Sequence, residues 1–126
     1  MCGVIGLRCE SDRADLGRTA SALLRMLEYR GYDSTGALIQ DGAGGIILRK
    51  DVGSPTVITK KLGIDKLGGK LFCGQVRWAT FGMVTKENAQ PHDVHCHSDP
   101  SQIAVTRCPG FVSPPTEIVA PICEIR

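Results

Sequence analysis

Apolar and polar residues change rhythm several times along this chain, and each change marks an element. Residues 2–8 form an apolar run with two glycines, Gly3 and Gly6, suited to a buried strand. From Leu16 the rhythm becomes helical, with Leu16, Ala20, Leu23, Leu24 and Leu27 on one stripe. Ser11 or Asp12 stands where an N-cap side chain accepts from first-turn amides. Arg25 and Arg30 suit the negative end of the helix dipole, and Gly31 fits a left-handed position just past it. Two short strands, 37–40 and 46–50, flank a glycine-rich run at 41–45 that supplies the positive φ of a hairpin loop. Ser54 followed by Pro55 predicts an N-cap, a proline at N1 and a short helix reaching Leu62. Residues 70–76 read as a strand and 77–83 as a loop holding the only tryptophan, Trp78. Residues 88–100 read as polar and irregular, and 102–105 as a last strand. After Val105 the pattern is lost: Pro109, Pro114 and Pro115 fall close together and Pro121 follows. Proline donates nothing to a ladder and disfavours helix in the residue before it. The division this predicts is an ordered part, 1–105, and a proline-rich tail without regular structure, 106–126.

Composition narrows the classes. With 126 residues the chain is expected to be one domain or part of one. A fold of this size buries about two-thirds of its unfolded surface. At 42% hydrophobic and 22% charged, disorder throughout is not expected. Fifteen Lys+Arg against 13 Asp+Glu give +2, without a dense basic patch carrying aromatics, so no nucleic-acid partner is expected. No apolar run approaches the roughly 18 residues of a membrane span, and the first residues lack the basic leader of a signal peptide. A cytoplasmic protein without a membrane partner is the resulting expectation. Cys2, Cys9, Cys73, Cys96, Cys108 and Cys123 show no paired spacing and read as thiols, most of them small buried hydrophobes.

Two clusters carry chemistry. Cys2 follows the initiator methionine, which is normally trimmed before so small a residue. Its thiol would then share one residue with a free α-amine, whose ordinary pKa of about 7.7–8.0 suits a base near neutrality. The second cluster runs from His92 to Asp99 and holds all three histidines with Cys96 and two aspartates. His95 and His97 would share one face of an extended segment, as a zinc site needs. The spacing matches no closed Cys/His module, and a solvated polar loop is the better account. No metal and no cofactor are expected.

Four motifs then align with one family. Met1-Cys2-Gly3-Val4-Ile5-Gly6 resembles the start of class II glutamine amidotransferases, whose glutaminase domains use an N-terminal cysteine. The run from Leu27 to Ser34 resembles the "LEYRGYDS" signature of the glucosamine-6-phosphate synthase branch, the isomerising glutamine–fructose-6-phosphate aminotransferases. Arg77-Trp78-Ala79-Thr80 repeats its "RWAT" loop, and Asn88-Ala89-Gln90-Pro91-His92 resembles its "NAHPH". The resemblance implies an α+β fold, the four-layer αββα sandwich of N-terminal-nucleophile hydrolases, incomplete in this chain. It implies L-glutamine as substrate and Cys2 as nucleophile. Arg77 would grip the substrate carboxylate through a bidentate fork, Thr80 would add a hydroxyl bond, and Trp78 would shield the site. Arg30 would lie near the nucleophile and Gly3 would allow close backbone approach there, with Gly6, Gly31 and Gly36 in similar roles. Tyr29, Tyr32, Asp33 and Ser34 would support the turn. Fructose 6-phosphate would be reached only through isomerase domains absent here, and a homo-oligomer is compatible.

The chain also departs from the family. Phe81 replaces a histidine of the loop motif and Gln90 replaces the first histidine of "NAHPH". After Val105 the family continues into "HNG", whose Asn side chain and Gly amide form the oxyanion hole. This chain reads Thr106-Arg107-Cys108-Pro109-Gly110. A truncated or frame-shifted product would show such a break, and so would a short paralogue. The alternative reading is therefore a catalytically silent fragment, or a binding paralogue that pairs with another amidotransferase subunit.

Overall fold

In the computed structural model, residues 2–95 and 102–105 are described. Strand β1 (Gly3–Arg13) leads into helix α1 (Leu16–Met26) and a 3-10 turn at Glu28–Arg30. The hairpin of β2 (Ser34–Gln40) and β3 (Ile46–Val52) follows, then α2 (Pro55–Lys61), a second 3-10 turn at Ile64–Lys66 and β4 (Gly69–Arg77). Strands β5 (His92–His95) and β6 (Gln102–Val105) pair antiparallel as a separate two-stranded ladder. The main sheet runs β1-β4-β2-β3, with every neighbouring pair antiparallel. The class is α+β.

Register sorts the sheet into two faces. Val76, Phe72, Ala37 and Ile39 alternate onto one face and pack there with Leu16, Ala20 and Leu24 of α1 and with Ile64. Ile5 and Leu7 of β1 and Leu27, Leu62 and Leu67 close the rim of this cluster. The α1 stripe is therefore the core-facing one that its spacing predicts, although Leu23 stays half-buried.

Several expectations need correction. The capping residues foreseen for α1, Ser11 and Asp12, belong to β1, which runs to Arg13 rather than ending near Arg8. Asp15 precedes the helix without a side-chain cap. The Gly17 amide instead donates to the Leu67 carbonyl at 2.7 Å, so a tertiary contact satisfies one first-turn donor. Gly31 is not left-handed: its φ of 171° and ψ of 138° are extended. Part of the polar stretch foreseen as irregular forms β5, because residues 102–105 supply its pairing partner. The hairpin loop does use a positive φ, at Gly44, and Asp41 accepts from the amides of Ala43 and Gly45. The tail foreseen at 106–126 lies outside the described residues.

Candidate active site

Topology places the motifs at one end of the sheet. Gly3 pairs with Val76, so Cys2 stands beside the end of β4, where Arg77 closes the strand. The Cys2 thiol donates toward the Trp78 carbonyl, with Sγ 3.9 Å from that oxygen. The same carbonyl accepts the Thr80 amide at 3.0 Å. A Cβ at position 3 would lie 3.0 Å from Val76 Cγ2 and 3.2 Å from Arg30 Cβ. Glycine there lets the 28–30 turn lie against the residue after Cys2. Arg30 thus lies against Gly3, the residue after Cys2, with its guanidinium carbon 5.1 Å from the Tyr29 ring centre.

The loop after β4 is held from within and from outside. Arg77 is only 3% exposed, and its guanidinium donates to the carbonyls of Phe81 at 2.5 Å and Met83 at 3.2 Å. These bonds fold residues 77–83 around the Arg77 fork. From outside, Asp33 meets the loop twice: its amide donates to the Arg77 carbonyl at 3.1 Å, and its Oδ2 accepts the Ala79 amide at 2.7 Å. The Asp33 carbonyl in turn accepts the Gly53 amide at 2.9 Å. Trp78 packs against Tyr32 with ring centres 5.6 Å apart. Thr80 and Phe81 are exposed.

Cys2, Gly3, Arg30, Arg77, Trp78 and Thr80 therefore come from three separate stretches to one corner. Arg77 arrives there already bonded to its own loop, which spacing does not disclose. Also missed is Glu28, whose Oε2 accepts both the amide and the hydroxyl of Thr56 in the first turn of α2. A carboxylate at a helix N-terminus satisfies orphan donors and suits the dipole. No local pattern announces either acceptor, because Ala79 and Thr56 are distant in sequence from Asp33 and Glu28.

The second cluster is only partly described. Lys50 Nζ donates to the Ala89 carbonyl at 2.9 Å and lies 3.5 Å from His92 Nδ1. Among the described residues no group of three His, Cys, Asp or Glu could hold a metal ion. Residues 96–101 lie outside that description. In the interior, the Gln75 side-chain amide donates to the Gln90 side-chain oxygen, both residues being buried. Burial pushes the Cys73 thiol above its ordinary pKa. Cys2, Cys9 and Cys73 are free thiols.

No family model matches the chain. A glutamine–fructose-6-phosphate aminotransferase (isomerising) of Pyrobaculum aerophilum is 39% identical over 93 residues, 73% of this chain and 15% of the relative. The enzyme of the same name from Streptococcus pyogenes is 40% identical over 92 residues, 73% of this chain and 14% of the relative. The chain thus spans about 15% of the length of the curated relatives it matches. Among solved structures, the allosteric regulatory enzyme of purine biosynthesis superposes with a TM-score of 0.68 at 25% identity, over 83% of this chain and 21% of that one. Glutamine phosphoribosylpyrophosphate amidotransferase of B. subtilis gives 0.62 at 24% identity, over 84% and 21%. Within that architecture, the described residues form a four-stranded antiparallel sheet with its helices and a two-stranded ladder, part of a domain. In sequence the chain is similar to the N-terminal part of the glutamine–fructose-6-phosphate aminotransferases, and its fold is that of the N-terminal-nucleophile glutamine amidotransferases.

Proposed function

We propose that this chain supplies the nucleophile-bearing part of a glutaminase site that releases ammonia from L-glutamine. The observation that carries the reading is the position of the Cys2 thiol beside the Trp78 carbonyl, at the strand end where the 77–80 loop begins. Loss of Met1 gives Cys2 a free α-amine, which takes the thiol proton. The sulfur then attacks the carboxamide carbon and the carbonyl electron pair moves to oxygen. Collapse of that oxyanion expels ammonia, which carries away the proton held by the α-amine, and leaves a thioester. Water attacks the thioester, releasing glutamate and restoring the thiol. Arg77 binds the substrate carboxylate with the N–H groups that its bonds to Phe81 and Met83 leave over, and Thr80 adds a hydroxyl. Trp78 shields the site, while Arg30 and Gly3 support the nucleophile.

In the complete enzyme, ammonia would pass to fructose 6-phosphate for glucosamine 6-phosphate synthesis, in the hexosamine pathway of the cytoplasm. That transfer takes isomerase domains outside the matched segment. The reading needs no cofactor, and self-association through the sheet edges is compatible with it. Among the described residues no helix is long and apolar enough to cross a membrane.

Two measurements test it. Intact mass is expected to show a chain beginning at Cys2, since a retained Met1 removes the base. Peptide mapping after an electrophilic glutamine analogue is expected to find Cys2 labelled ahead of Cys9, Cys73, Cys96, Cys108 and Cys123. Equal labelling of all six sinks the proposal.

A further inference from the structure

The turn at 31–33 and the loop at 77–83 meet through one carboxylate, and we infer that Asp33 is a positioning residue that sets the loop against Cys2. The Ala79 amide that it accepts, at 2.7 Å, follows directly on Trp78, whose carbonyl faces the Cys2 thiol and turns back to take the Thr80 amide. The two bonds from Asp33 bracket Trp78, one at Arg77 O and one at Ala79 N. Fixing a residue from both sides restricts the backbone rotations that would swing its carbonyl. The other side of Asp33 is tied to Gly53 at 2.9 Å, at the end of the β2–β3 hairpin. The clamp is thus tied to the residue that follows β3, next to the paired strand ends Ser34 and Val52.

The alternatives for holding this loop are weaker. The Arg77 bonds to Phe81 and Met83 close the loop on itself but do not attach it to the turn. The Tyr32–Trp78 contact involves rings exposed by 55% and 42%. An ionised acceptor makes a shorter and stronger bond to an amide than a neutral one, and here the donor is a backbone N–H in a part-buried setting. Asp33 touches no reacting atom in this account and acts through Ala79 and Trp78. Its consequence for chemistry rests on the glutaminase reading; its effect on the loop does not.

The first arm of the test uses the unaltered chain. Hydrogen exchange at the Ala79 amide, followed by NMR, is expected to be slower than at exposed loop amides without such an acceptor; exchange at the open-loop rate overturns the inference. The second arm compares Asp33→Leu, which keeps a branched side chain of similar size without an acceptor, with Asp33→Asn, which keeps an acceptor. Trp78 is the only tryptophan, so its emission and acrylamide quenching report the loop directly. Asp33→Leu is expected to quench more readily, and Asp33→Asn to stay near the unaltered chain. Labelling of Cys2 by the glutamine analogue is expected to fall about 10²-fold in Asp33→Leu and to be largely kept in Asp33→Asn, since a misplacement of about 1 Å costs that much. Slow labelling of half-buried Cys73 marks the variants that remain folded. If Asp33→Leu does not fold, exchange at Ala79 in the unaltered chain decides. Leu and Asn variants that behave alike in the folded state overturn the inference. Failure of the analogue to label Cys2 in any chain, with Ala79 protected and the Trp78 difference present, removes the glutaminase reading and leaves the clamp standing.

Discussion

At position 31 one hydrogen atom decides the geometry of the corner. A Cβ on Gly31 would lie 2.5 Å from the Arg77 carbonyl carbon and 2.6 Å from the Trp78 nitrogen, both backbone atoms that cannot rotate away. The glycine is demanded by this approach, not by a left-handed turn, since its φ of 171° is open to any residue. Gly31→Ala is therefore expected to push the 77–78 segment outward and to cost about 1–3 kcal/mol, the usual range for overpacking. The checks are the urea midpoint and Trp78 emission; if both match the unaltered chain, the close approach is not what fixes the loop. Spacing suggested a left-handed helix end for this glycine and the family resemblance suggested close backbone approach; the geometry is that of the second, because strand β4 approaches from residues far along the chain. The family resemblance of the Met-Cys-Gly-Val-Ile-Gly setting singled out Cys2 without any fold, and the structure adds the neighbouring Trp78 carbonyl.

Elements with a single periodic signal were legible, and their ends were not. The α1 stripe, the Ser54-Pro55 start of α2 and the 41–45 hairpin all appear where spacing puts them. First-turn donors of both helices are satisfied by distant groups: the Leu67 carbonyl at the start of α1 and the Glu28 carboxylate at the start of α2. One ion pair also joins elements, Lys61 of α2 to Asp51 of β3 at 2.8 Å. The Lys61 ammonium, with the Val52 amide second, holds the Asp51 carboxyl below its ordinary pKa. A lowered folded-state pKa stabilises above the unfolded value of about 3.9 and loses that contribution as pH falls through the folded one. The thermal midpoint is accordingly expected to fall less for Asp51→Asn than for the unaltered chain on acidification from about pH 5 to below 3.9. The difference should stay under about 1 kcal/mol, because the Lys61 side chain is 60% exposed and solvent screens the pair. Equal pH profiles would show that the pair contributes nothing.

For the whole molecule, the α+β class followed from motifs, whereas strand order did not. The last main-sheet strand in sequence, β4, lies between β1 and β2, so the sheet closes only after about 75 residues have been laid down. No local pattern encodes that insertion, although it is what carries Arg77 and Trp78 to Cys2. The same dependence on distant parts predicts the chain's own activity. On the proposed glutaminase reading, attack by Cys2 would create an oxyanion, which needs preorganised donors, and losing one such donor typically costs about 10²–10³ in rate. The family places an asparagine side chain and a glycine amide after the strand equivalent to β6; this chain has Thr106-Arg107-Cys108-Pro109-Gly110 in that place, without an asparagine. Pro109 has no N–H to offer in its stead. The main sheet adds a second cost, since among the described residues β1 and β3 each have one edge without a strand partner, and open edges favour association over a well-ordered pocket. The 126-residue chain is thus expected to release glutamate and ammonia at least about 10²-fold more slowly than the usual enzyme range of about 1–10³ per second. The measurement is glutamate release by soluble, monomeric material, with Cys2→Ala as control. Turnover within the usual range, abolished by that substitution, would mean that donors other than the family's asparagine and glycine stabilise the oxyanion.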